Sequence, residues 1–102
     1  MSQIHFHDDF YIPILKGNKT QTARVHELIP SLGNGEAIFN EKSSISIDIT
    51  KVKHKSFDDM SLKEVQKDGF TSKNDLWTVL IGFYPELKKS DLLMLIEFQT
   101  IK

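Results

Sequence analysis

The chain has 102 residues, 39% hydrophobic and 26% charged, which is the balance of an ordinary globular domain and not of a disordered segment. Its length suits one domain, 1–102, burying about 60% or more of the surface of its unfolded chain. Thirteen Lys and Arg against fourteen Asp and Glu give a formal net charge of −1 with no cysteine, which argues against a phosphate-binding basic surface and excludes disulfides and thiolate-bound metals.

In chain order, Gln3–Phe6 reads as a short strand. His7-Asp8-Asp9 offers a helix N-cap ahead of Phe10, Tyr11, Ile14 and Leu15, whose spacing marks one helical face. Gly17 then ends the helix in the usual left-handed position. Lys19–Val25 is expected to be a strand. Pro30 to Gly35 reads as a loop by composition. Glu36–Phe39 and Ser44–Val52 read as strands joined at Asn40-Glu41-Lys42, with Ile45, Ile47 and Ile49 facing inward at a period of two. Lys51, Lys53 and Lys55 alternate in the same way and read as a solvated strand face.

Ser61-Leu62-Lys63-Glu64 has capping-box spacing, and its helix should end near Gly69. A second helix, capped by Ser72, runs through Asp75–Phe83 and stops before Pro85. Asp91–Ile101 closes the chain as an interior strand, apolar on both faces. The order β-α-β-β-β-α-α-β lacks regular alternation, so an α+β fold is expected, with a curled or barrel-like mixed sheet and peripheral helices. No apolar stretch approaches the ~20 residues of a membrane span, and the opening Met1-Ser2-Gln3, with no basic segment followed by an apolar one, is not expected to act as a secretion leader. A cytoplasmic location and no membrane partner are expected.

The informative segment is Gly17-Asn18-Lys19-Thr20-Gln21-Thr22-Ala23-Arg24. It resembles the signature Gly-x-Lys-x-x-Glu-x-Arg of the ASCH family, a PUA-like group, with Thr22 in the glutamate position. The bacterial N4-acetylcytidine amidohydrolases of that family carry threonine there. The resemblance covers nearly the whole chain and includes Phe6, Phe10, Phe83-Tyr84-Pro85 and Ile96-Glu97-Phe98. It implies a single ASCH domain with a PUA-like fold, and a hydrolase acting on a modified nucleoside without a cofactor.

The resemblance further implies a working set of lysine, threonine and an acidic residue. Lys19 and Thr22 fill the first two positions. Counting back from Tyr84-Pro85 without a gap puts Gly69 at the acidic position, whereas a one-residue shift puts Asp68 there. Asp68 is the preferred reading, because loops absorb such shifts easily. The catalytic set is then Lys19, Thr22 and Asp68, with Arg24, Phe6 and Thr20 as substrate-binding residues.

These types suit amide hydrolysis. A threonine hydroxyl is too weak an acid to attack unaided, and a lysine whose pKa is lowered by burial can serve as its base. On a regular strand Lys19 would point away from Thr22 and Arg24. The reading therefore requires Lys19 to lie in the turn after Gly17.

Blander readings stand beside these. Arg24 could instead pair with a carboxylate such as Glu97, and Phe6 and Phe10 could simply pack in the core, as Trp77 should. His5 and His7 resemble a metal pair, yet nothing supplies an obvious further ligand, so no metal is expected. The expected partner of this monomer is a small modified nucleoside. The competing function is an RNA-binding module, catalytically inert or RNA-cleaving.

Overall fold

In the computed structural model, which describes residues 2–101, the strands are β1 (Ser2–His5), β2 (Gln21–Arg24), β3 (Gly33–Ile38), β4 (Ile45–Ser56) and β5 (Leu92–Thr100). A 3-10 turn, Asp8–Phe10, leads into α1 (Tyr11–Leu15), and α2 (Leu62–Lys67) and α3 (Lys73–Phe83) lie between β4 and β5. The strands form one sheet in the order β1-β3-β4-β5-β2. β1 pairs parallel to β3, and every other pairing is antiparallel. This is the expected α+β architecture, a mixed curled sheet with helices at its periphery. The edge strands approach each other closely enough for the Arg24 side chain on β2 to reach the His5 carbonyl on β1, at 2.7 Å.

β5 explains why its sequence is apolar on both faces. Met94, Ile96 and Phe98 join Ile4, Phe6 and Ile47 in a core inside the curl. Leu93 and Leu95 instead meet Val65, Leu76 and Leu80 beneath α2 and α3. A strand covered on both sides has no wet face to show.

α2 starts as its sequence requires. The Ser61 side chain accepts from the Glu64 amide at 3.2 Å, and Glu64 returns the bond to the Ser61 amide at 2.8 Å. α3 is capped by Ser72, whose hydroxyl accepts from the Asp75 amide at 3.2 Å. His7 caps the first helical turn through Nδ1, which accepts from the Asp9 amide at 3.1 Å. Of the four residues assigned to the first helix face, Ile14 is fully buried, Phe10 and Tyr11 pack against the core, and Leu15 is exposed.

Three expectations need correction. First, the segment read as a loop up to Gly35 already belongs to β3, which starts at Gly33. Its glycine serves close packing and not a turn: a Cβ on Gly35 would lie 2.9 Å from the Ser2 carbonyl and 3.0 Å from Ile49 Cδ1. Second, β2 begins at Gln21 and not at Lys19, since the preceding turn continues through Lys19. Third, β4 runs to Ser56, and of its three lysines only Lys51 is exposed as expected, while Lys53 and Lys55 are partly buried.

Thr50 is an extra residue between the Ile49↔Phe98 and Lys51↔Glu97 pairs, a β-bulge that resets the alternation. Beyond it Val52 returns to the inner core. Lys53 and Lys55 turn toward α2, where they meet the Glu64 carboxylate at 2.6 and 3.0 Å. Among the described residues no helix is long and apolar enough to cross a membrane.

Candidate active site

The chain leaves α1 through Gly17, at φ +79°, a left-handed conformation natural to glycine. The amides of Asn18 and Lys19 both donate to the Pro13 carbonyl, at 2.8 and 3.0 Å. Lys19 is thereby fixed in the turn, outside strand alternation, as the sequence argument requires. Its Nζ donates to Asp68 Oδ1 at 2.6 Å and to the Asp68 carbonyl at 2.7 Å. Both side chains are 3% exposed.

Asp68 is the C-cap of α2. The lysine therefore neutralises a carboxylate and also satisfies a helix-terminal carbonyl at the negative end of α2. Gly69 follows at φ +95°, where an added Cβ would stand 3.5 Å from Lys19 Cβ. Of the two positions open to the acidic residue, Asp68 makes the contact and Gly69 provides the turn beside it.

Burial is the dominant influence on Lys19 and lowers its pKa, because the ammonium loses its hydration. The charge and hydrogen bond of Asp68 pull the other way, and the nearby Arg24 charge adds to the depression. The net effect is a lysine below its ordinary value. The ammonium also lies 4.7 Å from the Phe10 ring centroid and 5.6 Å from that of Phe70, within the ~6 Å range of cation–π attraction.

Thr22 and Arg24 lie two residues apart on β2. Arg24 Nε donates to Thr22 Oγ1 at 3.0 Å, Nη2 to the His5 carbonyl at 2.7 Å, and Nη1 approaches Glu27 at 3.6 Å. Its guanidinium lies 4.8 Å over the Phe6 ring. Glu27 also accepts from the Tyr84 hydroxyl at 3.3 Å, and burial pushes that phenol's pKa up. Glu97, the alternative partner weighed for Arg24, pairs with Lys67 at 2.8 Å instead.

A cavity of about 110 Å³ opens among these groups, lined by Lys19, Thr22, Arg24 and Asp68 together with His5, Phe6, Phe10, Phe70 and Tyr84, among others. Thr20 is not among its lining residues. Its amide donates to the Lys67 carbonyl at 2.7 Å and its carbonyl accepts from the Phe98 amide at 2.9 Å, so it pins the start of β2 to α2 and β5. The Phe6 ring is spent in packing, with its centroid 5.9 Å from those of Phe39 and Phe98. It supports Arg24 from below. Phe10 and Phe70 are the rings that accompany Lys19 at the cavity.

Sequence reasoning gave no role to Gln21, which is fully buried beside Asp68. Nothing in the sequence marks it, because Thr20-Gln21-Thr22 is a polar run and its burial depends on α2 packing over the start of β2. His5 and His7 reach the cavity wall. Among the described residues no group of three or more His, Cys, Asp or Glu could hold a metal ion.

A mixed curled sheet with helices packed at its edges is a PUA-like α+β fold. Among solved structures, the chain is similar to the ASCH domain from Lactobacillus crispatus, at 20% identity and a TM-score of 0.70, over 97% of this chain and 78% of that one. It is similar also to a tyrosine-to-phenylalanine mutant of the Zymomonas mobilis ASCH protein, at 15% identity and a TM-score of 0.70, over 98% and 71% of the two chains. The hypothetical protein PH0355 matches over 97% of both chains, at 20% identity and a TM-score of 0.74. The fold is that of the ASCH domain. No protein-family model matches the sequence, and no curated protein matches it.

Proposed function

We propose that the chain is an amide hydrolase that removes the acetyl group of N4-acetylcytidine or a closely similar acylated nucleoside. The observation that carries the reading is the placement of Thr22, hydrogen-bonded by Arg24, on the same small cavity as the buried Lys19–Asp68 pair. A cavity of about 110 Å³ is well below the ~300–1,000 Å³ of sites for drug-sized ligands. It suits one acylated ring, with the sugar left toward solvent.

In this mechanism the neutral Lys19 amine takes the Thr22 proton as the hydroxyl attacks the acetyl carbonyl. Both Lys19 hydrogen bonds go to Asp68 in the resting protein, so the proton passes through one water or after the pair rearranges around substrate. The Arg24 Nε–H stabilises negative charge developing on Thr22 Oγ1. The Lys19 ammonium then protonates the departing N4 amine, and water releases acetate from the threonine ester. Asp68 keeps Lys19 oriented throughout.

Incubating the purified protein with N4-acetylcytidine should yield cytidine and acetate in equal amounts. Thr22→Ala and Lys19→Ala should abolish that release, and full activity in either variant would end the proposal. The competing RNA-binding reading is weakened by Lys53, Lys55 and Lys67, whose ammonium groups are engaged by Glu64 and Glu97.

A further inference from the structure

Gln21 is 0% exposed, in a place where a leucine would cost less to bury. Its Nε2 donates to two acceptors on α2 and its cap, the Glu64 carbonyl at 3.1 Å and Asp68 Oδ2 at 3.2 Å. Its Oε1 has no hydrogen-bond partner among the described residues. The orientation of the amide is nevertheless forced. Flipping it would set Oε1 against two acceptors, so the uncompensated oxygen is the lesser cost.

The two oxygens of Asp68 are thus held by different residues, Oδ1 by Lys19 and Oδ2 by Gln21. We infer that Gln21 is a positioning residue for the Lys19–Asp68 pair, fixing the plane of the Asp68 carboxylate so that Oδ1 faces the lysine. A primary amide is well suited to this. It donates to Oδ2 but does not titrate, and its second proton on the Glu64 carbonyl stops it rotating.

Lys19, from the turn after α1, meets this carboxylate directly, and the charge of Arg24, from β2, reaches Lys19. Glu64 on α2 sends its own carboxylate to Lys53 and Lys55. His5, His7 and Tyr84 share the cavity wall. Gln21 is therefore the neutral donor among charged neighbours.

The inference concerns the pair on which the proposed hydrolysis rests, but its test reads the resting protein. Crystal structures of Gln21→Leu and Gln21→Met should show the Asp68 carboxylate rotated out of its wild-type plane and its Oδ1 withdrawn from Lys19 Nζ, which it meets at 2.6 Å in the wild-type protein. An unchanged carboxylate plane in a folded variant would leave Gln21 a packing residue and overturn the inference. In the wild-type protein NMR should detect a scalar coupling across the hydrogen bond from Gln21 Nε2 to the Asp68 carboxyl carbon, and its absence would be equally fatal. That measurement needs no variant to fold. With N4-acetylcytidine, kcat in Gln21→Met should drop more than tenfold while KM is preserved. If the wild-type protein leaves acetylcytidine intact, the hydrolase proposal fails and the carboxylate plane and the hydrogen-bond coupling still decide the role of Gln21.

Discussion

Arg24 donates through Nε to the hydroxyl of Thr22, two residues earlier on the same strand, at 3.0 Å. The remaining donors of the guanidinium go to the His5 carbonyl and toward Glu27, so one side chain orients the hydroxyl and spans the gap between the two edge strands. A lysine can reproduce the charge but not three divergent donors in one plane. Arg24→Lys is expected to lower kcat for acetylcytidine about 100-fold and stability by about 1–2 kcal/mol. Steady-state kinetics and urea denaturation would read the two effects. Undiminished kcat would remove Arg24 from the chemistry.

Lys19 must be neutral to act as a base, and its burial lowers the pKa against the pull of Asp68. Raising the pH increases the neutral fraction. The profile of kcat/KM should therefore climb to a plateau, with a midpoint below the ~10.4 of a free lysine. Activity that instead falls as the pH rises through that midpoint would mean that the ammonium is the working form.

Much of this arrangement was legible because it is local in sequence. Gly17, Lys19, Thr22 and Arg24 lie within eight residues, and the turn after α1 follows from a glycine at the helix end. Asp68 took more inference, since 49 residues separate it from Lys19 and only the resemblance pointed to it. Gln21 and the reach of Arg24 to His5 were illegible, because each depends on which elements the fold brings together. Lys53 and Lys55 on β4 misled for a similar reason: the sequence shows that they leave the inward face of Ile45, Ile47 and Ile49, but not that α2 brings Glu64 over them.

The buried pair itself should show strong coupling. Lys19→Met leaves the Asp68 carboxylate without its cation in a site that is 3% exposed, a change that costs about 3–5 kcal/mol. Adding Asp68→Leu removes the stranded charge. The double variant should be distinctly more stable than the sum of the two single losses predicts. Chemical denaturation of all four proteins in the cycle measures the difference, and simple additivity would mean that the ion pair contributes no coupling.

Glu64 governs acid stability. Burial works against its charge, yet hydrogen bonds from Lys53, the Ser61 amide and Lys55 outweigh it and hold the carboxyl at about 2. The folded value lies below the ~4.3 of an unfolded glutamate, so this contribution is complete above that value and is lost as pH falls toward 2. With its lysine partners partly solvated, the contribution is on the order of 2 kcal/mol. Glu64→Gln should be less stable at pH 7 and show a flatter decline between pH 5 and pH 2 in denaturation measurements.

Two glycines should respond in opposite directions to the same substitution. At Gly35, paired with Ser2, a methyl group would stand 2.9 Å from the Ser2 carbonyl. That oxygen belongs to backbone held in a parallel pairing and cannot swing aside as a side-chain tip would. Gly35→Ala should cost about 1–3 kcal/mol, with the strain concentrated where β1 meets β3. Gly82 lies in α3, and an added Cβ meets nothing within 4 Å. Gly82→Ala should gain up to about 1 kcal/mol, because alanine surrenders less backbone freedom on entering a helix. Thermal denaturation of both variants gives the comparison. A Gly35→Ala protein as stable as its Gly82→Ala counterpart would mean that β1 does not pack against β3 as closely as described.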